Sequence, residues 1–149
     1  MSLRNAVLAG ALAAGGYLAY FYFKADRIKV PGTLEGKMKM AESLLEVHIK
    51  EMEAYLDELE RSDPGPSDFG PHGKWFKRQE KIIKAYFRKI NSLKLPCPSV
   101  MPGGADPGYV KWGEDFSRRE NEFLAGFNKR YMAVVDRILQ KTGGQRIAE

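Results

Sequence analysis

Two histidines, His48 and His72, and a single cysteine, Cys97, are the whole supply of imidazole bases and thiols in this chain. A zinc site needs several such ligands at close spacing. Asp68 lies near His72, but Cys97 is remote in sequence, so no metal is expected. Cys97 stands between Pro96 and Pro98. As a nucleophile it would need a base beside it and a cause for a lowered pKa, and it reads instead as a structural thiol in a stiff loop. Asp57, Glu58 and Glu60 bring carboxylates close together, with Asp57 and Glu60 on one helical face. Nothing in the sequence answers them as a paired-carboxylate site would require, so the expected setting is a solvated face. The glycines from Gly10 to Gly16 lack the Lys-Ser/Thr that must follow a phosphate loop. These readings predict no catalytic residue, no metal, no cofactor and no small-molecule substrate.

Cations offer a different chemistry. Lys74, Lys77, Arg78, Lys81, Lys84, Arg88, Lys89 and Lys94 surround Trp75, Phe76, Tyr86 and Phe87, with Glu80 as the lone acid. Aromatics between cations can stack nucleic-acid bases. Here, however, the aromatics recur at core spacing while the cations fall on the other face. An acidic protein surface or anionic lipid is the better match, and no nucleic-acid partner is expected.

The elements that carry these residues follow from pattern. Charged residues make up 29% of the 149 and aromatics 11%, with a formal net charge of +5, which is not a disordered composition. One cysteine excludes an intrachain disulfide, which argues against a secreted domain. From Ala6 to Phe23 the chain reads AVLAGALAAGGYLAYFYF without a charge. As a helix that run spans roughly 27 Å, near the thickness of a bilayer's hydrocarbon core. Tyr17, Tyr20, Phe21, Tyr22 and Phe23 crowd its second end, as an interfacial aromatic belt would. The run ends in YFYFK, a poor cleavage region for a signal peptide. Gly10 and Ala14, Ala11 and Gly15, and Gly15 and Ala19 are each four apart, the spacing at which small residues let membrane helices approach closely. Arg4 stands alone before the run, whereas Lys24, Arg27, Lys29, Lys37 and Lys39 follow it, so the remainder of the chain is expected on the positive-inside face. Lys24, Arg27 and Lys29 are placed to meet lipid headgroups.

Residues 30–149 form the second unit, after an anchor and basic flank over 1–29. Thr33 is a candidate N-cap for a helix running to about Arg61. Leu34, Met38, Ala41, Leu45, His48, Met52, Tyr55 and Leu59 alternate at spacings of four and three, a heptad seam widened by Leu44, Ile49 and Leu56. His48 on that seam reads as a hydrogen-bonded core or interface residue, with a normal pKa near 6.5 that would permit titration. Pro and Gly make Ser62–Gly73 a loop. A second helix is expected from about Lys74 to Leu93, with a stripe of Trp75, Phe76, Ile82, Ile83, Tyr86, Phe87, Ile90 and Leu93. An acidic helix followed by a basic one suggests an antiparallel hairpin with charge-complementary flanks. Leu95–Gly108 carries four prolines and forms the next loop. Asp106-Pro107 reads as N-cap and first helical position of a third helix ending near Lys141, before Gly143-Gly144. Its stripe is Tyr109, Trp112, Phe116, Phe123, Leu124, Phe127, Tyr131, Val134, Val135 and Ile138.

The expected fold is all-α: one N-terminal transmembrane helix, then about three amphipathic helices, either bundled or extended along partner subunits. Met38, Leu45, His48, Met52, Tyr55, Leu59, Trp75 and Phe76 are the candidate partner-binding residues. The functional expectation is a non-catalytic single-span accessory subunit of a mitochondrial inner-membrane assembly such as a respiratory-chain complex or ATP synthase. Its partners would be other membrane-protein subunits and anionic lipid, with the helical domain on the matrix side. This rests on analogy of class and on no motif. The alternative is an anchored helical adaptor at the mitochondrial outer membrane or endoplasmic reticulum that recruits an acidic partner.

Overall fold

A computed structural model describes residues 29–70 and 72–142. The predicted span over 6–23, its small residues Gly10, Ala11, Ala14, Gly15 and Ala19, and the flanking Lys24 and Arg27 lie outside the described residues, as do Gly143 and Gly144. Among the described residues no helix is long and apolar enough to cross a membrane. Three α-helices and two short 3-10 turns are described, with no strand: α1 over Leu34–Ser62, α2 over Lys74–Ser92 and α3 over Pro107–Lys141.

Local chemistry sets the helix ends. The Thr33 hydroxyl accepts from the Gly36 N–H at 3.1 Å and so satisfies one of the donors left open in the first turn of α1. Asp63 then takes a left-handed conformation (φ 48°) and Pro64 follows, which stops the helix. The Asp106 carboxylate accepts from Tyr109 N–H at 3.2 Å, and Pro107 opens α3 with its φ already preset. Helix α2 begins without such help, because Gly73 at its cap has no side chain to offer. Glycine is required there for a different reason: a Cβ would collide with the Asp68 carbonyl and stand 2.9 Å from Ser67 O.

The helices form an up-down-up bundle. Glu42 meets Trp112 and Arg119 near the starts of α1 and α3, and Glu60 meets Arg130 further along both, so α1 and α3 run parallel. Tyr55 packs on Trp75 and His48 on Tyr86, so α2 runs antiparallel to α1. The alternative of helices laid out along a neighbour is thus replaced by a bundle closed within the chain. Its apolar seam is continuous enough to bury large side chains from all three helices, the dominant favourable term in folding.

Two apolar clusters fill the interior. The larger joins Met52, Tyr55, Leu56 and Leu59 to Phe69, Trp75, Phe127, Tyr131, Val134, Val135 and Ile138. Phe69 comes from the 3-10 turn Pro66–Phe69, so the first loop is folded onto the core. The smaller cluster joins Ala41 and Leu45 to Tyr86, Leu93 and Phe116. Leu124 departs from the expected α3 stripe and is 50% exposed. Phe123 and Phe127 pack inward on either side of it, and a position one residue further round the helix turns away from the bundle.

Candidate functional site

His48 lies between the two apolar clusters. Its ring stacks on Tyr86 with centroids 4.1 Å apart and planes 11° from parallel, and meets the edge of Phe123 at 6.2 Å. Nδ1 is sealed from solvent without a hydrogen-bond partner. Burial holds the imidazole down at a pKa of about 4, because a charged ring there would lose its hydration. Beside it, Tyr86 Oη donates to Glu120 Oε2 at 2.8 Å. Burial raises the Glu120 carboxyl, against the lowering effects of the Tyr86 hydrogen bond and the Arg119 charge. His48, Tyr86 and Glu120 thereby form one polar layer contributed by all three helices.

The acids of α1 are answered by α3. Arg130 reaches Asp57 Oδ1 at 2.8 Å and Glu60 Oε1 and Oε2 at 3.0 and 3.1 Å. Its planar fork is suited to holding carboxylates in this way. Arg119 and the Trp112 indole N–H both donate to Glu42 Oε1, and the Arg119 hydrogen bond lowers the Glu42 pKa. Lys141 pairs with Asp63. Among the ion pairs of the described residues, Arg78–Glu58 carries the expected pairing between α1 and α2. The hairpin forms, but its charge complement is mostly supplied by the third helix. The apolar stripe of α3 fixes which face is buried but not which helix its flanking cations meet, so these partners are not legible in the sequence.

Several predicted site residues are spent inside the chain. Leu45, Met52, Tyr55, Leu59 and Trp75 are buried, while Met38, His48 and Phe76 are half-buried and Lys29 is exposed. The partner of the seam, for its buried members, is the chain's own α2 and α3. Tyr55 also donates through Oη to the Trp75 carbonyl at 3.1 Å, which holds the start of α2 against α1. His72 and Cys97 are exposed. The thiol lies 3.1 Å from Ser99 Oγ, and that hydroxyl lowers its pKa. Among the described residues no group of three or more His, Cys, Asp or Glu side chains is placed to hold a metal.

The first half of α2 keeps part of its outer side on the surface. Lys74, Lys77 and Lys81 are exposed. Beyond them Lys84 pairs with Glu80 on its own helix. Comparison with protein-family models, with curated proteins and with solved structures finds no match to this chain.

Proposed function

We propose that this chain is a non-catalytic, membrane-anchored accessory subunit of a mitochondrial inner-membrane assembly, such as a respiratory-chain complex or ATP synthase. The observation that carries the reading is the way its reactive side chains are committed. Asp57 and Glu60 share the fork of Arg130, and His48 is stacked into the bundle interior. A module built this way acts through the contacts its surface makes. The charge-free run over 6–23 supports an anchor, and the cations that follow it support a matrix-side bundle. Other membrane subunits and anionic lipid are the partners this reading assigns, with no nucleic acid and no small-molecule substrate.

The test is gentle detergent extraction, native-gel separation and mass spectrometry of the band that holds the chain. The expected result is co-migration with a large inner-membrane complex that persists in several hundred millimolar salt. Migration as a small species, or with a soluble partner released by salt, would overturn it. One feature favours a second reading, the anchored adaptor at the outer membrane or endoplasmic reticulum: the bundle buries its core within itself, as an independently folding recruitment domain does.

A further inference from the structure

We infer that the outer face of α2 is a docking surface for an acidic helical segment of a partner protein. This deepens the accessory-subunit reading and rests on it. Lys74, Lys77, Lys81, Lys84 and Arg88 follow one another at spacings of three, four, three and four. On a helix that places them in a single line about 21 Å long, opposite the stripe that holds Trp75, Tyr86 and Leu93 in the core. Lys74, Lys77 and Lys81 are exposed and join none of the ion pairs formed among the described residues. Lys84 and Arg88 continue the spacing but are half-buried and hold interactions of their own, so Lys74, Lys77 and Lys81 are the cations this face offers a partner.

Two features give the line direction. First, Glu42, Asp57, Glu60 and Asp63 pair with α3 and Glu58 with Arg78, while Glu80 within the line pairs with Lys84 and leaves the first three lysines outside any ion pair among the described residues. Second, Lys74 and Lys77 occupy the first turn of α2, which has neither an acidic residue nor a side-chain cap. Cations at the positive end of a helix dipole are unfavourable. Lys74 is partly offset by the Trp75 ring beneath its Nζ and by Glu58. Lys77 joins no ion pair or ring contact among the described residues, and a local rule broken there points to a gain made outside the fold.

The shape of the line selects the partner. A second helix with carboxylates at alternating spacings of three and four presents a matching file of charges. An anionic bilayer offers diffuse charge without that spacing, and it enters the test as a competitor. Nucleic acid would need rings to stack on, but Trp75 and Tyr86 are buried.

The probe is a synthetic helical peptide bearing glutamates at that spacing, titrated onto the full chain in neutral phosphatidylcholine nanodiscs. A peptide of identical composition with scrambled glutamates, phosphatidylglycerol vesicles and polyuridine RNA are the competitors. The patterned peptide is expected to bind about tenfold tighter than the scrambled one. Lys74→Glu, Lys77→Glu and Lys81→Glu together should weaken it by at least about tenfold, while the three lysine-to-arginine changes retain binding. Equal binding by the scrambled peptide, tighter binding by vesicles or RNA, or undiminished binding by the reversed variant would overturn the inference. Circular dichroism of the reversed variant checks folding, and the three lysine-to-alanine changes give a milder version with the same expected direction. On the native gel, a reversed variant that stays in the assembly as wild type does would remove α2 as the contact and leave the accessory-subunit reading standing. Wild type running alone would remove that reading whatever the peptide does.

Discussion

His48 and Glu120 sit in the same polar layer and push stability in opposite directions with pH. The His48 pKa falls from 6.5 to about 4 in the fold, so the unfolded chain takes up the proton first. Its contribution is fully present above pH 6.5 and is lost as pH falls toward 4, by roughly 3 kcal/mol at the limit. Glu120 is raised by burial, so its contribution is present below its unfolded pKa and lost as pH rises through the folded one. His48→Leu should therefore remove the decline below pH 6.5. It should be neutral or slightly stabilising at pH 7, since it also removes a sealed Nδ1 that has no partner. Glu120→Gln, which keeps an acceptor for Tyr86 Oη, should stabilise the bundle at pH 7 and change little near pH 4. Urea midpoints from tryptophan fluorescence of the full chain in nanodiscs, taken between pH 4 and 7.5, separate the two. A decline that survives His48→Leu unchanged would assign it to another group.

The start of α2 and the α1–α3 pairing are where single substitutions act on whole elements. Gly73 has a φ of −69°, which alanine adopts freely, so Gly73→Ala tests steric room alone. A Cβ there meets the Asp68 carbonyl backbone, and the first loop must shift, at a cost of about 2 kcal/mol. The check is a lowered urea midpoint together with faster amide exchange over 66–76. An unchanged midpoint would mean that the loop yields freely. Arg130→Lys tests the parallel pairing in another way. Lysine keeps the charge but not the fork that spans Asp57 and Glu60, so the loss should be modest, about 0.5–1 kcal/mol for a half-exposed pair, and should shrink in salt. The helix ends were legible in the sequence because Thr33, Asp106 and Pro107 act on their own backbone neighbours. The buried faces were legible too, through the spacing of residues such as Leu45, Met52, Phe127 and Val134. Which helix answers the acids of α1 was not legible. That depends on the order of helices around the bundle, and the cations of α2 lie on the far side of its apolar stripe. His48 lies on the seam, but the hydrogen bond expected for it is missing at the buried Nδ1, and the ring stacks on Tyr86 instead, a contact that needs the three-dimensional register of α2 against α1.

If the chain is the anchored subunit proposed above, two kinds of contact would hold it in its assembly, and they differ in physics. The Gly/Ala ridge read from residues 10–19 would hold a neighbour in lipid by close packing, which salt does not screen. The lysine line of α2 would hold a soluble segment by charge, and exposed charges lose most of their reach beyond a Debye length of about 8 Å at physiological ionic strength. When both act on one assembly, each raises the effective concentration at the other. Gly15→Leu alone should therefore leave the chain in its complex at low salt and release it at high salt, because charge then carries the association. Reversing Lys74, Lys77 and Lys81 alone should lower recovery, and what remains should resist salt, because packing then carries it. The combined variant should be lost at both ionic strengths. Recovery on native gels at two salt concentrations for these four chains distinguishes the cases. If Gly15→Leu co-migrates at high salt as wild type does, the small residues only fill the run, and the association must be carried elsewhere on the chain.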